Sequence, residues 1–121
     1  HTNMQDERSL NHDGEMIEYS RLHKMTIQAW SPYQYGNFAG IFLDNTKFPE
    51  LNNAMQALAD EKQVTKSAIA TAWILRHPAH FQVILGTMNP EHLAQNAAGA
   101  DVTLSRQEWY DIYFAAGNDL P

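Results

Sequence analysis

The stretch Gln82-Val83-Ile84-Leu85-Gly86-Thr87-Met88-Asn89-Pro90-Glu91-His92-Leu93 decides the fold. Gln82 to Leu85 reads as a short strand, apolar enough to be buried on both faces as strands of parallel sheets are. Gly86-Thr87-Met88 turns the chain. Asn89 then offers an N-cap and Pro90 a first helical residue with no N–H to waste. Glu91 is an acid suited to the positive end of the helix dipole. The predicted helix runs to about Ala98 and stops near Gly99. Free N–H groups at such a helix start, together with the Thr87 hydroxyl, make a candidate anion site.

Working back from this unit, Lys66 to Arg76 is predicted as a helix capped by Thr65. It is apolar on most sides and calls for burial against a sheet; His77-Pro78 ends it. Leu51, Ala54, Met55, Leu58 and Ala59 give Glu50 to Gln63 the spacing of an amphipathic helix. Thr26 to Trp30 has strand character and stops at Ser31-Pro32, because proline lacks the ladder donor and pushes its predecessor to extended geometry. Between them, Tyr33 to Pro49 reads as a long loop, a type that is often functional. Gly14 to Lys24 is predicted helical with Asp13 as cap, and His1 to Asp13 as a polar loop. Working forward, Ser105 and Glu108 form a capping box. They open a last helix from Arg106 to about Ala116, with Trp109, Ile112 and Tyr113 on one side and Gly117 as its stop. Strands alternating with helices imply βαβ units and a parallel sheet. Two strands alone leave open edges, so further chain or a partner copy is expected beside them.

Composition narrows the function. The 121 residues carry a formal net charge of -6 with only 8 Lys and Arg, scattered along the chain, which argues against nucleic acid as a partner. No apolar run reaches the roughly 20 residues of a membrane span. Cysteine is absent, excluding disulfides and thiolate metal sites. His77 and His80 flank Pro78, which breaks the helix that would bring them to one face, so they do not read as a metal pair. His12 and His23 have no evident partner. Glu108 and Asp111 read as the solvated face of the last helix. The chain starts at His1 with no signal-like segment after it, which reads as a cut end.

Two places could carry chemistry. Trp30-Ser31-Pro32 lies at the carboxyl end of a strand, where α/β folds bind ligands. An indole there can stack on a flat heteroaromatic ring and a serine can bond a phosphate oxygen. The Gly86-Thr87 turn is the second. From spacing alone, the plainer reading of each is the stronger: a core aromatic before a strand stop, and an ordinary strand–helix turn.

Taken in order, Ile27-Gln28-Ala29-Trp30-Ser31-Pro32 with Gly36, then Val83 to Leu93, resemble the aldo-keto reductase family. The likeness covers about Gly14 to Pro121 and includes the helix from Ala68 to Leu75 and the Leu104-Ser105 and Glu108-Trp109 pairs. It implies an α/β fold, a partial (β/α)8 TIM barrel. Residues 1–121 would be its C-terminal segment, with the last two strands and surrounding helices, and the N-terminal part of the barrel would be absent. It also implies a cytoplasmic NAD(P)H-dependent oxidoreductase acting on small aldehydes and ketones, with neither nucleic acid nor membrane as partner. Trp30 would stack on the nicotinamide; Ser31, Tyr33 and Tyr35 would lie along the pyrophosphate. Gly86 and Thr87 would approach the ribose 2'-phosphate, with Gln95 and Asn96 facing the adenine. Many members carry Lys at the position of Gly86 and Arg at that of His92, both binding the 2'-phosphate. Here His92 could replace part of that Arg only when protonated. NADP is the expected cofactor, with NAD the alternative. The family's catalytic Tyr, Lys, Asp and His come from earlier strands and match nothing here. The chain alone is therefore expected to be inactive, and to self-associate. A non-catalytic nucleotide-binding regulatory or scaffold module on the same fold is the rival reading. An unrelated helix-rich interaction domain is the third.

Overall fold

The computed structural model describes residues 14–35 and 39–120. In chain order the elements are α1 (Gly14–Leu22), β1 (Gln28–Trp30), α2 (Pro49–Lys62), α3 (Lys66–Leu75), β2 (Gln82–Ile84), α4 (Pro90–Ala97), a 3₁₀ turn (Ala98–Asp101) and α5 (Arg106–Ala115). β1 and β2 pair in parallel, with Gln28 opposite Gln82, Ala29 opposite Val83 and Trp30 opposite Ile84. The Gln82 N–H donates to the Ile27 carbonyl at 2.9 Å, and the two facing glutamine side chains, Gln28 and Gln82, bond at 2.9 Å. A parallel pair needs a crossover, and α2 with α3 supplies it. Among the described residues no helix is long and apolar enough to cross a membrane.

The element ends follow local chemistry. α1 stops two residues before the predicted Lys24, because Lys24 turns left-handed at φ 53° and Met25 N–H bonds back to the Ser20 carbonyl at 2.8 Å. α2 begins on Pro49 and ends where Gln63 adopts φ 56°. Thr65 caps α3 by accepting from Ala68 N–H, as the sequence predicts. Asp13 and His12 lie outside the described residues.

α3 is the packing centre. Ala68, Ile69, Ala70, Thr71 and Ala72 are all buried on it. Its small side chains let neighbours approach closely. The core joins Ile69 and Ala72 to Leu51, Met55 and Ala59 of α2, Leu104, and Ile112 of α5. α3 packs against β2, as expected, but the sheet is not its main cover. α2, α4 and the 3₁₀ turn cover most of it, because two three-residue strands present too little surface for a ten-residue helix. β2 is likewise not buried on both faces: Val83 is half-buried and Ile84 is 44% exposed. Of the described helices, α3 packs against β2.

The 3₁₀ turn meets α3 at backbone range. A Cβ placed on Gly99 would lie 2.5 Å from the Ala68 carbonyl oxygen and 2.6 Å from Thr71 Cβ. α5 is joined to α3 by a reciprocal pair: Trp73 Nε1 donates to the Trp109 carbonyl at 3.0 Å and Trp109 Nε1 to the Trp73 carbonyl at 2.9 Å. Their rings stack at 4.6 Å, so both indole N–H groups are satisfied in a half-buried contact. Glu108 is more than a solvated acid. One carboxylate oxygen accepts from Ser105 N–H at 2.6 Å, closing the predicted capping box, and the other meets Lys62 of α2 at 2.9 Å. The Ser105 backbone bond and then the Lys62 ammonium hold its carboxyl below the usual carboxylate value. Asp111 does stand on the exposed face.

Two outcomes are expected. Gly99→Ala should destabilise the fold by about 3 kcal/mol, because backbone rather than a flexible side chain blocks the methyl; chemical denaturation midpoints check this. The lowered Glu108 pKa means the unfolded chain binds the proton more readily. Its stabilisation is therefore present above the usual glutamate value of about 4.3 and is lost as pH falls through the folded value. Glu108→Gln should flatten the stability–pH slope below about pH 4, as read by denaturant titrations at stepped pH.

Candidate functional site

Because β1 and β2 run in the same direction, the residues following Trp30 and Ile84 emerge on one rim. Trp30 closes β1 with its side chain half-exposed. Ser31 follows at φ 49°, in the left-handed region, immediately before a proline that ordinarily holds its predecessor extended. Such conformations cost about 1–3 kcal/mol and persist where surroundings over-determine them. Here the Ser31 carbonyl accepts from Gln34 N–H at 3.0 Å, fixing the turn.

The loop after Ser31 folds into a small strap. Phe42 N–H bonds the Tyr33 carbonyl at 2.9 Å, Tyr35 N–H bonds the Gly40 carbonyl at 3.0 Å, and Gln34 and Ile41 form an antiparallel bridge. Gly36 of the family-like motif lies outside the described residues. Tyr33 points into the fold. Its hydroxyl lies 2.7 Å from Thr71 Oγ1, which itself donates to the Ser67 carbonyl at 3.0 Å, so the phenol is the donor. Burial pushes the Tyr33 phenol above its ordinary pKa, partly offset by the Thr71 bond. Tyr33 therefore buttresses the strap against α3, and its hydroxyl is taken. Tyr35 stands edge-on to Phe48 at 4.8 Å, and Lys47 donates to its hydroxyl at 3.3 Å.

Sequence reasoning missed two residues here. Asn52, buried on α2, accepts from Asp44 N–H at 2.7 Å and donates to the carbonyls of Phe42 at 2.8 Å and Phe48 at 2.9 Å. It fixes the base of the strap. In the sequence it is one polar residue in an amphipathic helix, and nothing local marks it as buried. Lys47 puts a cation beside Tyr35 and was hidden by its Asn-Thr-Lys surroundings, which read as ordinary loop; Asn45 Oδ1 in fact accepts from Lys47 N–H at 2.9 Å.

On the other strand, Gly86 takes φ 62° with open space around it, the nearest atom to an added Cβ being the Ile84 carbonyl at 4.0 Å. Thr87 is half-buried and its Oγ1 accepts from Asn89 N–H at 3.2 Å. Asn89 caps α4 as predicted, accepting from Glu91 N–H at 2.9 Å and His92 N–H at 3.3 Å. Leu93 N–H bonds the Asn89 carbonyl at 2.9 Å. The Glu91, His92 and Leu93 N–H groups are therefore engaged within the cap and first turn of α4, in keeping with the plainer strand–helix reading. His92 is exposed. Gln95 is half-buried and donates to Glu91 at 3.2 Å. Asn96 is only 7% exposed, and its side-chain amide has no hydrogen-bond partner among the described residues. A buried amide without a partner is costly, and an adenine edge, with both donors and acceptors, has the chemistry to satisfy it. With a half-exposed indole at the same rim, the donor set suits a dinucleotide.

Trp30, Ser31, Gly86 and Thr87 thus share one rim, Tyr35 belongs to the strap that follows it, and His92, Gln95 and Asn96 lie on the helix that leaves it. Tyr33 turns inward. His77 and His80 precede β2 and so lie toward its opposite end. His77 Nδ1 accepts from Ala79 N–H at 3.1 Å and its ring stacks on Phe81. Burial, then the Arg21 charge, lowers its pKa. No group of three or more metal-ligating side chains occurs among the described residues.

Comparison with known proteins agrees with the motifs. The model of the Aldo/keto reductase family matches residues 1–114. The chain is similar to a 6-dehydroglucose reductase of Agrobacterium fabrum, 34% identical over 101 residues that cover 83% of this chain and 32% of that protein. It is also similar to a 6-dehydroglucose reductase of Novosphingobium aromaticivorans, 32% identical over 106 residues, covering 87% of this chain and 34% of that protein. The chain spans about a third of the length of the curated relatives it matches. With a match that runs through both strands, the strap and α5, the chain belongs to the aldo/keto reductase family.

Proposed function

We propose that this chain is the cofactor-holding C-terminal segment of an NAD(P)H-dependent reductase of aldehydes and ketones, forming the last two strands and outer helices of a (β/α)8 barrel. The observation that carries the reading is the parallel register that sends Trp30-Ser31 and Gly86-Thr87 to one rim. The family match and the relatives named as reductases support it. The nicotinamide cofactor, when bound, supplies the hydride.

This chain's residues bind and orient. The Trp30 indole offers a flat face for the nicotinamide ring. Ser31, held in its strained turn, presents a hydroxyl to the pyrophosphate. Tyr35, with Lys47 beside it, brings a hydroxyl and a positive charge to the same run. Tyr33 and Asn52 hold the strap in place, Tyr33 through Thr71 and Asn52 through the Phe42–Phe48 backbone. Gly86 and Thr87 line the ribose, and Gln95 and Asn96 face the adenine. No residue of this chain acts as the general acid; that group belongs to earlier strands of the barrel. Met16, Tyr19, Leu22 and Met25 are exposed apolar residues on and after α1. They and the outer side of the sheet form the surface that the rest of the barrel covers. Expressed alone, the chain self-associates through them and turns over no substrate.

In the whole protein, Trp30→Ala should weaken nicotinamide cofactor binding about tenfold, the scale of one lost ring stack. Fluorescence titration with NADH and NADPH reads this. Unchanged affinity for both would remove Trp30 from the site and the reading with it.

A further inference from the structure

We infer that Thr71 is a positioning residue for the cofactor: this one buried side chain of α3 fixes both the strap that follows Ser31 and the turn that closes α4, and so sets the spacing between the two halves of the rim. This rests on the proposed reading of the rim as the cofactor site. Thr71 acts through other residues and is not itself a cofactor contact.

Thr71 is 3% exposed, and its two branches face different elements. The hydroxyl faces the strap. Its single proton goes to the Ser67 carbonyl at 3.0 Å, so toward Tyr33 the oxygen can only accept, and the Tyr33 hydroxyl donates to it at 2.7 Å. Tyr33 stands three residues after Trp30, and its carbonyl takes the Phe42 N–H at 2.9 Å. The bond to Thr71 therefore holds the start of the strap and its return together. The methyl branch faces the 3₁₀ turn. A Cβ on Gly99 would lie 3.0 Å from Thr71 Cγ2, so the turn is seated on this methyl with no side chain between them. Gly99 comes three residues after Asn96, where α4 passes directly into the 3₁₀ turn, and Asn96 is the buried amide that faces the adenine in the proposed reading. Both branches of Thr71 sit on one Cβ whose χ1 is stiff. The two contacts cannot shift independently, and the strap and α4 are thereby set against each other.

Valine keeps the methyl and serine keeps the hydroxyl, so the two branches can be removed separately. Each variant is made in the whole protein and read twice: dissociation constants for NADH and NADPH by fluorescence titration, and the chemical denaturation midpoint. Thr71→Val removes the acceptor of the Tyr33 bond, and Tyr33→Phe removes its donor. Each should weaken both nucleotides about fivefold, the scale of one net hydrogen bond. The double variant should be no weaker than either single one, because both act on the same bond. Thr71→Ser, which keeps the acceptor and drops the methyl, should also weaken binding, and its loss should add to that of Tyr33→Phe. Tyr33→Phe carries the hydroxyl arm of the test if Thr71→Val does not fold. Unchanged dissociation constants in Thr71→Val and Tyr33→Phe, with only the denaturation midpoint lowered, overturn the inference and leave the cofactor-rim reading standing. Additive losses in those two also overturn it, since the two hydroxyls would then act apart. Wild-type affinity in Thr71→Ser removes the link to α4 and the inference with it. Wild-type protein that binds neither nucleotide overturns the rim reading itself.

Discussion

The parallel hydrogen bonding of β1 to β2 is the constraint on which the rest depends. Each strand has three residues, so the pairing is slight in itself, but it sets direction. With Gln28 opposite Gln82 and Trp30 opposite Ile84, whatever follows each strand must leave on the same side. Antiparallel pairing, or a shift of the partner strand to the other end, would separate the indole from the Gly86 turn by the length of the sheet. Chemistry that needs both ends of a dinucleotide would then have no common surface.

Two strands this short cannot hold that register alone. The crossover does it. α3 lies between the sheet and α2 in sequence, and its run of alanines lets α2, α4 and the 3₁₀ turn close on it; Gly99 marks the tightest approach. That packing sets where β2 begins and where α4 departs. The same helix reaches the rim through Thr71, which takes the Tyr33 hydroxyl, while α2 reaches it through Asn52. The strap after Ser31 is thus tied to the helical layer at two points, and the strain at Ser31 is borne by a built surround.

Much of this was legible in the sequence. Thr65, Asn89-Pro90 and Ser105/Glu108 announced three helix starts, because capping is local chemistry that a few residues can express. The strand ends at Trp30 and near Leu85 were legible for the same reason. What was not legible depends on partners distant in sequence. Apolarity marked α3 as buried against the sheet, but not that α2, α4 and the 3₁₀ turn would cover more of it than β2 does. Glu108 looked like a surface acid until Lys62 arrived from α2. The bond from the Tyr33 hydroxyl to Thr71, 38 residues on, had no local signal either. Asn52 gave no sign of burial. The cap at the start of α4 was legible in Asn89, while the Thr87 hydroxyl's bond to the Asn89 N–H was not. The family resemblance carried what spacing could not, since it linked two individually weak motifs in their order.

A crystal structure of the whole protein with bound NADH tests the shared rim most directly. The account requires the nicotinamide ring stacked on Trp30, and the adenosine lying along the Gly86-Thr87 turn with its base near Gln95 and Asn96. A cofactor bound elsewhere, or one whose two ends straddle opposite ends of β1 and β2, would contradict it.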